Sequence, residues 1–113
     1  MNDDDPYVEL VLRCVERVPR GRATTYGAIA EAVGRVLGRG GPRVVGSVMA
    51  RHGADVPWWR VVRADGRLAT GHEAEARARL AAEGAPLRGD RVEIALARAD
   101  TLDRSRPPAD AEI

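Results

Sequence analysis

The 113-residue chain has no phenylalanine, no lysine, a single cysteine and only four aromatic residues. Each scarcity excludes something. One cysteine, Cys14, rules out an internal disulfide and fits a reducing cytoplasm. His52 and His72 stand apart, and neither has a partner at metal-ligand spacing, so neither a zinc site nor any other cofactor is expected. No run approaches the roughly 20 apolar residues of a membrane span, so no membrane partner is expected. The start, Met1-Asn2-Asp3-Asp4-Asp5, is acidic and lacks the apolar core of a signal peptide. There is no internal repeat and no interdomain linker. At this length one domain with a modest core is expected, helical or α+β given the abundance of Ala, Val and Leu.

Charge is present but unevenly spread. The net charge is +1, yet residues 1–10 carry four acids and no base, whereas residues 11–67 carry eleven arginines against four acids. A central basic block inside a nearly neutral chain suggests a localised face for a polyanion. Every basic residue is arginine, which a GC-rich genome would also produce. Arginine nonetheless brings planar stacking and bidentate phosphate contacts.

The pattern predicts helices over 7–18, 26–33, 42–51 and 73–83. The first follows Pro6 and ends at Pro19-Arg20-Gly21. Thr24-Thr25 can cap the second, with Gly34 near its end. Gly38 to Pro42 is a Gly-rich turn, and Pro42 suits the first turn of the third helix. Two short helices joined by a turn, the second opening on Pro42-Arg43, make a helix-turn-helix candidate. Trp59 to Val62 reads as a strand, Ala64-Asp65-Gly66-Arg67 as a hairpin turn, and Leu68-Ala69 as the return strand of a small wing. Gly84 fits the C-cap of the fourth helix. Val92 to Ala97 is a short strand or a turn of helix. Residues 1–6 are expected to be a flexible acidic N-terminus, 7–103 the domain, and 104–113 a disordered tail.

Half of the aromatics lie together in Val56-Pro57-Trp58-Trp59-Arg60-Val61-Val62. Adjacent residues of a strand or turn point in opposite directions, so both indoles cannot enter one core. Either one tryptophan is core and the other covers a groove, or one of them stacks on a ligand or base.

Four segments then occur in one order. They are Val18-Pro19-Arg20-Gly21 followed by Thr25-Tyr26-Gly27-Ala28-Ile29-Ala30; Pro42-Arg43-Val44-Val45-Gly46; Pro57-Trp58-Trp59-Arg60-Val61-Val62 with Asp65-Gly66; and Leu80 through Glu83-Gly84. Together they resemble the DNA-binding domain of O6-alkylguanine-DNA alkyltransferases over roughly residues 7 to 87. The resemblance implies a mainly α domain with a small β-hairpin, a winged helix-turn-helix-like fold. The family carries Pro-Cys-His-Arg-Val where this chain has Trp58 and Trp59. An indole cannot replace a thiolate nucleophile at neutral pH, so the chain resembles the alkyltransferase-like branch in which Trp stands for the reactive Cys. Most of that branch keeps the histidine that Trp59 replaces here. Cys14 lies on the apolar stripe of the first helix and reads as packing.

The resemblance implies double-stranded DNA containing O6-alkylguanine as partner, bound through the minor groove with the base flipped. Arg43 would insert into the duplex, and Tyr26 would press on the backbone of the flipped nucleotide. Thr25, Pro42, Gly46, Ser47 and Arg51 would complete the DNA-binding face. Tyr26, Val56, Pro57, Trp58, Trp59, Arg60 and Thr70 would form the lesion pocket, with Trp58 stacking on the lesion. Glu83, which holds the catalytic histidine in true alkyltransferases, can here accept the Trp59 indole N–H or pair with Arg60. The implied function is a non-catalytic sensor that signals to nucleotide excision repair proteins, acting as a cytoplasmic monomer that joins the nucleoid when bound. The rivals are a winged helix-turn-helix transcription factor, and a residual alkyltransferase or competitive inhibitor of alkyltransferases.

Overall fold

The computed structural model describes residues 5–98; the tail expected at 104–113, the segment 99–103 and most of the acidic N-terminus lie outside the described residues. Helix α1 spans Pro6–Glu16. It begins where Asp5 accepts the Tyr7 N–H at 2.8 Å, with Pro6 preset for the first turn. Asp5 and Pro6 are thus part of the folded helix start. The helix stops two residues short of Val18, which is buried just beyond its C-cap Arg17.

Strand β1 (Thr24–Thr25) leads directly into α2 (Tyr26–Leu37). Thr25 is the cap, its Oγ1 accepting the Ala28 N–H at 3.0 Å, while Thr24 is buried in the strand. The helix runs past Gly34 and ends at Gly38, whose φ of 70° takes the left-handed C-terminal conformation. Four residues then lead to α3 (Pro42–His52). The helix-turn-helix is therefore α2, residues 38–41, and α3.

After α3 the backbone tightens into two 3-10 turns, Gly53–Asp55 and Trp58–Arg60. The expected strand from Trp59 shrinks to β2, Val61–Val62. Proline explains the difference. Pro57 sits at φ −72°, ψ 68°, the inverse γ-turn geometry, and the Trp58 N–H donates to the Val56 carbonyl at 2.6 Å. Residues 58–60 leave that turn curled rather than extended.

Strand β2 pairs in parallel with β1, Thr24 opposite Val61 and Thr25 opposite Val62. The turn at 64–67 does form, with the Arg63 N–H donating to the Arg67 carbonyl at 2.8 Å and Gly66 at φ 89°. The return strand at Leu68-Ala69 does not. Leu68 is drawn into the core, and Gly66 is bonded instead to Val92. The antiparallel hairpin lies later in the chain, β3 (Leu87–Arg88) against β4 (Arg91–Val92). Between the 64–67 turn and this hairpin, α4 spans Glu73–Ala82, followed by Glu83 as C-cap and by Gly84 at φ 77°. A single helical turn, α5 (Ile94–Ala97), follows β4, so Val92 to Ala97 divides between the two expected forms.

The buried residues form two clusters. Tyr7, Val11, Val15, Ile29, Val33, Val45 and Val48 join α1, α2 and α3. Ala23, Leu68, Ala76, Leu80, Val92 and Ala97 gather under α4 and the hairpin. The alternation of β2 links them: Val61 enters the first cluster and Val62 the second. The Trp58–Arg60 turn is held where these two cores meet. Among the described residues no helix is long and apolar enough to cross a membrane.

Candidate nucleic-acid interface

Glu83 is the centre of the site. Its side chain is 4% exposed and that of Arg60 is 12% exposed. Leaving a carboxylate there without partners would be costly, and the structure gives it four donor groups. Oε1 accepts the Gly21 N–H and Arg60 Nε, both at 3.0 Å. Oε2 accepts the Trp59 indole N–H at 3.0 Å and Arg60 Nη2 at 2.6 Å. Arg60 also donates through Nη1 to the Val18 carbonyl at 2.9 Å. Both alternatives open for Glu83 in the sequence are therefore realised together. Burial pushes its carboxyl up, but the hydrogen bonds from Arg60, Gly21 and Trp59, and the charge of Arg60, outweigh burial and hold it at about 2. The network ties four segments together: the end of α1, the loop after it, the 58–60 turn and the end of α4.

The two tryptophans have different situations. Trp59 is pinned. Its N–H is bound to Glu83, the Arg79 guanidinium lies 4.4 Å from its ring centroid, and that of Arg60 lies 5.4 Å away. Among the described residues the Trp58 side chain is held by ring contacts alone. It meets Trp59 edge-on at 5.8 Å and 86°, and His72 at 5.6 Å and 61°. Among the described residues the Trp58 N–H has no hydrogen-bond partner. Both rings are half-buried and pack on the second core. Trp59 is thus fixed by a hydrogen bond and two guanidinium groups, and Trp58 by edge contacts with two rings.

Val56 is nearly buried and Pro57 half-buried, and both bear on the backbone that places Trp58. Thr70 is exposed, in a turn closed by the His72 N–H on the Ala69 carbonyl at 3.1 Å. That turn delivers His72 to the Trp58 edge, which brings the Thr70 loop beside the tryptophans. His72 and Arg79 are two site neighbours that the sequence does not point to. Arg79 carried no signal for the site: its pairing with Glu75 one turn back, 3.0 Å away, marks a helix face and not a contact with Trp59. His72 carried none, because its contact depends on the turn conformation.

The helix-turn-helix residues form a separate group. Tyr26 opens α2, half-buried on the first core; burial raises its hydroxyl, against the lowering charge of Arg63. The Thr25 hydroxyl is already engaged as the cap. Pro42 and Arg43 are exposed in the first turn of α3, whose N-cap Gly41 provides no side-chain oxygen. Its leading amides are left for an outside acceptor. Beyond its own helix and chain neighbours, no heavy atom among the described residues lies within 4 Å of a Cβ placed on Gly46, so its surface is open. Ser47 and Arg51 line a shallow groove with Val48 and His52. Cys14 is fully buried in α1, consistent with packing.

This arrangement has known relatives. The family described as the DNA-binding domain of 6-O-methylguanine DNA methyltransferase matches residues 6–85. A DNA base-flipping protein of Escherichia coli (strain K12) is 34% identical over 93 residues, 79% of this chain and 70% of that protein. A DNA base-flipping protein of Vibrio parahaemolyticus serotype O3:K6 (strain AQ3810) is 29% identical over 66 residues, 57% of this chain and 63% of that protein. Among solved structures, S. pombe Atl1 in complex with damaged DNA containing O6-carboxymethylguanine superposes with a TM-score of 0.61 at 31% identity, covering 74% of this chain and 80% of that one. S. pombe ATL in complex with DNA gives 0.58 at 32% identity, covering 75% of this chain and 81% of that one.

Proposed function

The chain belongs to the 6-O-methylguanine DNA methyltransferase DNA-binding-domain family, and from that premise we propose that it is a non-catalytic sensor of O6-alkylguanine in DNA. Arg43, exposed at the start of α3, enters the duplex from the minor groove and fills the space of the extruded nucleotide. Tyr26 bears on the backbone beside it, with Pro42, Gly46, Ser47 and Arg51 completing the face. The flipped base stacks on Trp58 in a pocket bounded by Val56, Pro57, Trp59, Arg60 and Thr70. With Trp58 in the position of the family's cysteine and Cys14 buried in the core, no thiolate attacks the alkyl group. The lesion is held and released unchanged, and the bound monomer marks it for nucleotide excision repair proteins in the cytoplasm and nucleoid.

The observation that carries this reading is the division of labour between the indoles. The Glu83–Arg60 network is complete and ends on Trp59, while Trp58 lies outside it, half-exposed and meeting Trp59 and His72 edge-on. Trp58→Ala tests it. Base stacking is worth roughly 1–3 kcal/mol, so affinity for a duplex containing O6-methylguanine should fall about 5- to 150-fold, with binding to undamaged duplex nearly unchanged. Equal losses on both duplexes would make Trp58 a fold residue and remove the stacking role.

A further inference from the structure

The basic residues of the structure are not all on the helix-turn-helix. The parallel register that sets Thr25 opposite Val62 brings the next residues, Tyr26 and Arg63, side by side at the end of the strand pair. The following turn folds Arg67 back on Arg63, the Arg63 N–H meeting the Arg67 carbonyl at 2.8 Å. Arg67 in turn forms a bridge with Arg91 on the hairpin. Three arginines from two separate segments are thus brought together, with Arg63 beside Tyr26, and all three are exposed. Two acids stand near them: Asp65, whose carboxylate is 3.4 Å from Arg67 Nε, and Asp90, which precedes Arg91 in the hairpin turn. The Arg67 N–H holds the Asp65 carboxyl below its usual range, and the charges of Arg67, Arg91 and Arg63 lower it further. Gly66 keeps the arrangement tight, because a Cβ there would run into the Val92 carbonyl.

We propose that Arg63, Arg67 and Arg91 form a second phosphate-binding surface, a clamp on the DNA backbone outside the helix-turn-helix and next to Tyr26. It rests on the DNA-binding reading above and extends it to a new set of contacts. Phosphodiesters fit the surface for two reasons. The cluster carries excess positive charge, and its donors are guanidinium groups suited to paired phosphate oxygens. Contacts of this kind position the duplex without reading sequence or damage. Asp65 makes the surface weaker than three arginines alone would be, which favours reversible scanning.

Salt dependence tests the clamp. Each arginine that neutralises a phosphate contributes about 0.9 to the slope of log K against log salt. Arg63→Ala, Arg67→Ala and Arg91→Ala should each flatten that slope by about 0.9 and weaken binding about eight-fold at 0.1 M salt, equally on damaged and undamaged duplexes. Asp65→Asn should act in the opposite direction and tighten both, a sign that loss of folding could not produce. Slopes and affinities at wild-type values in all three arginine variants would overturn the clamp while leaving lesion recognition intact. Wild-type protein that binds both duplexes alike, with slopes that still fall in the variants, would overturn lesion recognition and keep the clamp.

Discussion

Replacing Glu83 with glutamine keeps the shape of the side chain but removes the charge that organises the site. The carboxyl titrates near 4.5 when free and at about 2 in the folded protein. At about 1.4 kcal/mol per tenfold change in equilibrium, the charged form stabilises the fold by about 3 kcal/mol at neutral pH. The variant also leaves Arg60, 12% exposed, without its counter-charge, and breaking a buried pair on one side costs about 3–5 kcal/mol. The two figures describe the same interaction and do not add. Glutamine retains one acceptor, so the expected loss is about 2–4 kcal/mol. That is a large share of the roughly 5–15 kcal/mol by which small domains are stable. Urea unfolding followed by tryptophan fluorescence and circular dichroism measures it directly. A carboxyl whose folded value is depressed stabilises fully above its unfolded value and loses that contribution as pH falls towards the folded one. The gap between wild type and Glu83→Gln should therefore be widest above about pH 5 and narrow steadily towards pH 2. Asp5 and Asp65 are also depressed, but they are common to both proteins and cancel in the comparison. A loss below about 1 kcal/mol at pH 7, or a gap that does not narrow in acid, would refute the reasoning.

Arg43→Ala should weaken binding to the O6-methylguanine duplex more than binding to the undamaged one, by at least about ten-fold if the side chain fills the gap left by the base; equal losses in a fluorescence anisotropy titration would mark an ordinary phosphate contact. Gly21→Ala should destabilise by about 1–3 kcal/mol, because φ is 77° and the new Cβ would sit 2.9 Å from the Glu83 carbonyl oxygen. A thermal midpoint unchanged from wild type would show that the loop accommodates it. The same variant should loosen the Trp59 environment, visible as a shift in tryptophan emission.

What the sequence made legible was local chemistry. Prolines and threonines marked the helix starts, since Pro6, Pro42 and Thr25 act through their own backbone or hydroxyl. The Trp pair and Glu83 stood out by residue type and order. Pairing across the chain did not show. Asp-Gly at 65–66 does turn the backbone, but a turn residue specifies a bend and not which strand will be hydrogen-bonded beyond it. Here β2 takes β1, far back in the chain, and Gly66 takes Val92, far ahead. Gly34 looked like a helix end because glycine is a poor helix former, yet tertiary packing of Ile29 and Val33 carried α2 through it to Gly38. Arg79 and His72 joined the site through α4 packing and the 69–72 turn, neither of which has a sequence signature.

The central claim is recognition of the lesion without chemistry on it. The direct test is equilibrium binding of purified protein to two short duplexes that differ only in one O6-methylguanine, at a stated salt concentration, with the bound DNA recovered and its methyl group assayed. Tighter binding to the damaged duplex with the methyl group fully retained is the predicted result. Equal affinity for the two duplexes, or methyl transferred to the protein, would contradict it.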